Sequence, residues 1–345
     1  MSQKAEKKRL NEILGSHLCT IHETLQILDQ TPSSLDKVSW EEIIKMGDQV
    51  SKQATIVGML WTGQKPEVKA IEETMASYFN TLQGFLLLSH GSTVGAGPTL
   101  SSCIHASVKQ VVDSSFKLMK EFVSLYGSQG KDQHLSISQL VGVVWEACSA
   151  LKKTPPTNIT AIGRGITQVA VSMKDVLREL KELRPESTNE VSDSDGELGN
   201  DLSPEEMKVA QASIVVVSDI ISVVKELIRC ISGLLKLEKP GDSGNFVDSL
   251  EKLLKLSQEL SLQIDEIGAC LYPPQEVPTI EAVMVKIQSV IDDIQGILGG
   301  IRGSSDTFLE ACNILRSSLK QLASELSSSD TADLEAKVEN ITLSD

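Results

Sequence analysis

The sequence predicts an all-α protein made of two antiparallel up-and-down bundles of long helices joined by an acidic disordered linker. Three observations point there. The eleven prolines fall into eight clusters, at 32, 66, 98, 155/156, 185, 204, 240 and 273–278, and the stretches between them lack strand alternation. Proline breaks the helical hydrogen-bond ladder, so helices begin at it or stop before it. Two Ser-x-x-Glu sequences, Ser39 to Glu42 and Ser203 to Glu206, have the form of a capping box, in which each side chain satisfies a free amide of the first turn. The third observation is one strongly polar mid-chain segment that separates two helix-rich halves.

Each expected helix has its own pattern. Leu10, Leu14, Leu18, Ile21, Leu25 and Leu28 recur at steps of four and three, and so make one apolar face. After the cap at Ser39, Ile43, Ile44, Val50, Val57 and Leu60 do the same. Further helices are expected near 67–89, 100–126, 137–152, 159–183, 204–237, 245–270, 280–298 and 305–327, ten in all with no strand. Between 209 and 237 the polar residues Gln211, Ser218, Ser222, Lys225, Arg229, Ser232 and Lys236 form one narrow stripe, which leaves most of that helix to be buried. A proline spacing of about 33 early in the chain has the length of a solenoid repeat, but each period holds one long helix and not a pair.

The linker lies between Arg184 and Lys208, a stretch with eight acidic residues, no basic one and few large apolar ones. Such a segment cannot bury enough apolar surface to offset the entropy of ordering it. The expected organisation is a bundle over 1–184, a Pro/Glu/Ser/Thr-rich linker over 185–203, a second bundle over 204–327 and a flexible acidic tail over 328–345. About half of the net charge of -15 belongs to the linker.

Composition excludes several functions. With 32 basic against 47 acidic residues, broad contact with nucleic-acid backbones is disfavoured, because that contact depends on Lys and Arg displacing counterions. No uninterrupted apolar run exceeds four residues, against the roughly 20 needed to span a bilayer. The charged start, Met1 to Leu10, lacks the apolar stretch of a signal peptide, so the chain is expected to stay inside the cell and the sequons at Asn158 and Asn340 to be chance matches. Cysteines 19, 103, 148, 230, 270 and 312 are too widely spaced for a disulfide framework or zinc knuckle and read as buried thiols.

The search for catalytic, metal and cofactor sites returns none. His17 and His22 are five apart, where zinc needs four to align two imidazoles on one helix face, and Cys103 and His105 point to different sides of a helix. The glycine-rich stretch His90 to Thr99 enters a helix, yet it follows a helix and lacks the Lys of a phosphate-binding loop; it reads as a tight connection with Gly supplying positive φ. Leu250-Glu251-Lys252-Leu253-Leu254 has the LxxLL form of coactivator-groove helices, and Arg178-Glu179-Leu180 the minimal RxL form of a cyclin-docking peptide. Both fall inside expected helices and read as packing. The linker offers candidate phosphorylation sites: Ser187, Ser192 and Ser194 each have an acidic residue three positions on, and Ser203 precedes Pro204 at a helix N-terminus that stabilises negative charge.

The blocks Val38-Ser39-Trp40, Gly47-Asp48-Gln49-Val50-Ser51 and Val144-Trp145-Glu146-Ala147-Cys148, followed by Leu151, Pro155, Asn158 and Val176, resemble the D-type cyclin-binding protein family, also called Grap2 and cyclin-D interacting protein. The resemblance covers most of the chain and rests on packing residues. It implies a non-enzymatic, all-helical two-bundle protein of nucleus and cytoplasm that binds D-type cyclins and restrains the kinase step that inactivates retinoblastoma protein. It further implies partnership with helix-loop-helix transcription regulators without direct contact to nucleic acid. No cofactor and no membrane are expected, and no cyclin-binding residue is transferred. The alternative is a cytoskeletal or adhesion adaptor of the vinculin and α-catenin type, since those proteins also use bundles of long helices.

Overall fold

The computed structural model describes residues 2–30, 36–61, 66–126, 133–183, 202–235, 244–301 and 304–342; of 133–135 and 328–342 only the backbone is described. Ten α-helices carry these residues, with no strand among them: α1 (Gln3–Gln26), α2 (Trp40–Leu60), α3 (Val68–Ser92), α4 (Pro98–Ser124), α5 (Gln133–Ala150), α6 (Asn158–Leu180), α7 (Pro204–Leu234), α8 (Gly244–Cys270), α9 (Val277–Gly300) and α10 (Asp306–Thr342). Short 3-10 turns, Ile27–Asp29 and Leu151–Lys153, extend α1 and α5. None of the helices is long and apolar enough among the described residues to cross a membrane.

The chain divides into two compact units, Met1–Ala161 and Ile162–Asp345. In the first, the helices neighbour one another in the ring order α1, α3, α2, α5, α4. Side-chain pairs give the directions. Lys7 donates to the Ser124 carbonyl at 2.8 Å and His105 meets Asp29 at 3.5 Å, so α1 and α4 run antiparallel. Ser77 reaches Gln53 at 3.2 Å while Gly91 lies against Val38, which makes α2 and α3 antiparallel. Arg9 bonds Glu72 at 2.9 Å and His17 stacks on Phe79 at 4.9 Å, so α1 and α3 run parallel. Five alternating helices closed into a ring must contain one parallel pair, and α1/α3 is that pair.

The first core is aliphatic with a few large rings. Tyr78, Phe85 and Phe122 are fully buried, and the Tyr78 hydroxyl is satisfied by Ser115 at 2.8 Å. Burying a side chain of that size contributes about 1.5–3 kcal/mol, so these three rings are major contributors to the unit.

In the second unit, α7, α8, α9 and α10 neighbour one another around a ring of four. Ser318 donates to Asp219 at 2.6 Å and Thr307 to Glu226 at 3.1 Å, which fixes α7 and α10 as antiparallel. α7 exposes Gln211, Lys225, Arg229 and Ser232 and half-buries Ser218 and Ser222, the stripe expected from its sequence, while thirteen of its residues are buried.

Two boundaries differ from the sequence expectation. From Ile162 onward α6 belongs to the second unit, although a first bundle was expected to run to residue 184. The cause is small residues: an added Cβ at Gly165 would meet Leu254 of α8 at 3.0 Å, and one at Gly268 would meet Val176 of α6 at 3.5 Å, so α6 and α8 lie side by side and parallel. α10 also stays helical to Thr342, past the expected end at 327. The extra stretch has neither Pro nor Gly and carries Leu334, Val338 and Ile341 at steps of four and three, a helical period. The expected linker lies largely outside the described residues, and only Leu202 and Ser203 of its end are described.

Candidate interaction surface

The sequence blocks that stand out in the first half of the chain converge on the seam between α2 and α5. Ser39 caps α2 with the expected capping box: its hydroxyl accepts the Glu42 N–H at 3.4 Å and its own N–H donates to the Glu42 carboxylate at 3.2 Å. The cap sets the first helical residue, Trp40, which is buried and donates its indole N–H to the Leu151 carbonyl at 2.9 Å. That bond ties the start of α2 to the end of α5, across 111 residues of sequence.

Two turns further along, α2 and α5 come close because Gly47 has no side chain. A Cβ there would lie 2.5 Å from Leu151 Cδ1. Near the far end, Gly58 leaves room for Val141 in the same way, with 3.1 Å to Val141 Cγ2. Between them Trp145 lays its indole over α2, donating to the Ser51 carbonyl at 3.2 Å and the Thr55 hydroxyl at 3.1 Å.

Trp145 is held in place and yet 47% exposed. Ile56 and Met59, 48% and 66% exposed, lie on α2 beside Thr55 and one turn beyond it. A large ring fixed by two hydrogen bonds is the kind of anchor that dominates protein interfaces, because little side-chain entropy remains to be lost on binding. Under the seam sits Cys148, whose thiol is pushed up to about 12 by burial, with the Asp48 carboxylate adding to the effect. It is a packing thiol and not a nucleophile.

The other residues singled out by sequence find structural partners. Gly95 has φ +70, and the loop around it is closed by Asn158, which accepts the Gly97 N–H at 2.7 Å and donates to the Gly95 carbonyl at 2.8 Å. The glycine-rich stretch is therefore a connection latched to the first residue of α6. Leu250, Leu253 and Leu254 are buried, as is Leu180, so the LxxLL and RxL patterns are core packing. His17 stacks on Phe79 with its pKa lowered by burial. Among the described residues no three His, Cys, Asp or Glu side chains group closely enough to hold a metal ion.

Of the candidate phosphorylation sites, Ser187, Ser192 and Ser194 lie outside the described residues. Ser203 is the N-cap of α7, half-buried, with Glu206 completing a second capping box. The exposed face at Trp145 is the feature that residue reading missed. The signal was present: Ile137, Val141, Val144, Cys148 and Leu151 make the buried stripe of α5, and Trp145 falls beside it.

The sequence model of the Grap2 and cyclin-D-interacting N-terminal domain matches residues 42–186, and that of the corresponding C-terminal domain matches residues 186–296. A Cyclin-D1-binding protein 1 homolog of Xenopus laevis is 23% identical over 266 residues, covering 75% of this chain and 78% of the relative. Cyclin-D1-binding protein 1 of Homo sapiens is 20% identical over 266 residues, covering 73% of each chain. With both family domains matched in order over 42–296, the chain belongs to the Grap2 and cyclin-D-interacting protein family.

Proposed function

We propose that this protein is a non-enzymatic interaction module that binds a D-type cyclin through the α2–α5 seam and thereby restrains cell-cycle progression. The observation that carries the reading is the convergence of Trp40, Gly47, Ser51, Trp145 and Leu151, all in the blocks through which the chain resembles its family, on one seam with a half-exposed tryptophan. A relative of the family is named for binding cyclin D1, which supports the choice of partner. In this reading the protein works in nucleus and cytoplasm, helix-loop-helix regulators are a second partner class, and the acidic segment 185–203 with Ser187, Ser192 and Ser194, which follows α6 and precedes α7 in the chain, is the regulatory element.

The test is isothermal titration of the full chain with a purified D-type cyclin, followed by an assay of the cyclin-dependent kinase on a retinoblastoma-protein substrate. Saturable binding and slower substrate phosphorylation are expected. Absence of binding with both proteins at tens of micromolar, a weak affinity by interface standards, would reject the reading.

A further inference from the structure

We propose that Ser203 is the target of a proline-directed protein kinase and that its phosphate unlatches the first turn of α7. Ser203 is half-buried with an extended backbone, φ -58 and ψ 162, and is followed by Pro204 and Glu205, both exposed. A serine followed directly by proline is the minimal element such kinases read, and here the serine precedes the helix while the proline is its first residue. In the reaction the γ-phosphoryl group of ATP passes to Ser203 Oγ, the hydroxyl proton goes to the kinase's catalytic base, and ADP leaves.

The local geometry determines what the phosphate does. At an ordinary helix N-terminus an anion is welcome, because the dipole presents roughly half a positive charge there. Here that position is taken. The Ser203 hydroxyl accepts the Glu206 N–H at 3.2 Å, and the Glu206 carboxylate accepts the Ser203 N–H at 2.9 Å. A phosphate on Oγ carries about -1.5 to -2 charges and would be forced against a full carboxylate, which outweighs the half charge of the dipole. Glu206 must swing away, and the Ser203 N–H loses its partner.

The turn that loosens is tied to its neighbours. The Glu206 carbonyl accepts Gln275 Nε2 at 3.0 Å, and Gln275 also reaches the Leu271 carbonyl at 3.3 Å, so the first turn of α7 is fastened to the connection between α8 and α9. Leu202, the preceding residue, is fully buried. Opening the box therefore releases a buried leucine and a cross-helix clasp together. Ser39 is an internal control, because it has the same box with Glu42 but is followed by Trp40 and not by proline.

Two measurements test this on the full chain. Incubation with a purified cyclin-dependent kinase and ATP, read by peptide mass spectrometry, is expected to place phosphate on Ser203 and none on Ser39. Failure to modify Ser203 while a synthetic 198–210 peptide is modified overturns the site. Phosphoserine installed at 203 during translation is then expected to speed amide exchange across 205–208 by about tenfold, whereas the same phosphate combined with Glu206→Gln is expected to slow it. Unchanged or slower exchange with Glu206 in place overturns the unlatching.

Discussion

Leu151 Cδ1 stands 2.5 Å from where a Cβ at Gly47 would be, so this glycine sets how closely α2 and α5 approach. Leu151 is fully buried and its backbone carbonyl already holds the Trp40 indole, so it has little freedom to move. Gly47→Ala gains about 1 kcal/mol of helix propensity but drives its Cβ against a Leu151 that cannot easily give way, so it is expected to be net destabilising by about 1–2 kcal/mol. Gly47→Leu is expected to destabilise by roughly 1–3 kcal/mol and Leu151→Ala by roughly 2–5 kcal/mol. Urea unfolding should find the double variant G47L/L151A less destabilised than the sum, because the new side chain fills the space the old one left.

What sequence could show here follows from the range of the forces involved. The capping boxes at Ser39 and Ser203 were legible because cap chemistry acts within four residues, and the ten helices because apolar period is local. The order of helices around each ring was not legible: the parallel α1/α3 pair brings Arg9 to Glu72, residues 63 apart, and no local pattern in the sequence reports such a meeting. The assignment of α6 beyond Ile162 was hidden for the same reason, since it depends on Gly165 fitting Leu254. Trp145 stands out by its identity, while its place over Ser51 and Thr55 joins residues 94 and 90 apart in the chain.

Asn158 closes the Gly95–Gly97 loop with both ends of its amide while it is itself buried. Asn158→Ala leaves the Gly97 N–H and the Gly95 carbonyl without those partners, at about 1–3 kcal/mol for each group that water cannot reach. All three tryptophans, Trp40, Trp61 and Trp145, lie in the first unit, so their fluorescence follows that unit selectively. The tryptophan-detected urea midpoint should fall markedly in this variant. An unchanged midpoint would mean that the latch contributes nothing.

The cysteines should divide by burial. Cys148, Cys230, Cys270 and Cys312 are buried, whereas Cys19 is exposed and Cys103 intermediate. Burial pushes the Cys148 thiol to about 12 and the Cys312 thiol to about 11, so neither presents a thiolate near neutral pH. Alkylation of the native protein, read by mass spectrometry, should mark Cys19 and Cys103 and reach the other four only after unfolding. Early labelling of Cys148 would show that the α2–α5 seam opens in solution.

Asp265 on α8 has its pKa raised by burial, with the Glu179 carboxylate of α6 adding to it. A carboxyl group with a raised pKa binds its proton more tightly in the folded state, so its contribution is most favourable in acid and is lost as pH rises through the folded pKa. Asp265→Asn removes that loss. The variant should melt at a higher temperature than the parent at neutral pH, with the difference shrinking to nothing toward about pH 3, below the ordinary carboxylate range. A difference that persists undiminished in acid would assign the effect to packing and not to charge.

Trp145 separates stability from recognition. Its indole hydrogen bonds go to Ser51 and Thr55 on a face that water reaches, so Trp145→Ala leaves both acceptors hydrated and should cost no more than about 1–2 kcal/mol of stability. If the seam is the cyclin-binding surface, losing a pre-positioned aromatic anchor should weaken binding by about thirtyfold or more, the range of an interface hot spot. Trp40 gives the opposite control: it is buried, so Trp40→Ala should damage the fold before any partner is added. Titration of a D-type cyclin with the folded Trp145→Ala protein therefore decides the matter, and binding equal to that of the parent would move the interface off the α2–α5 seam.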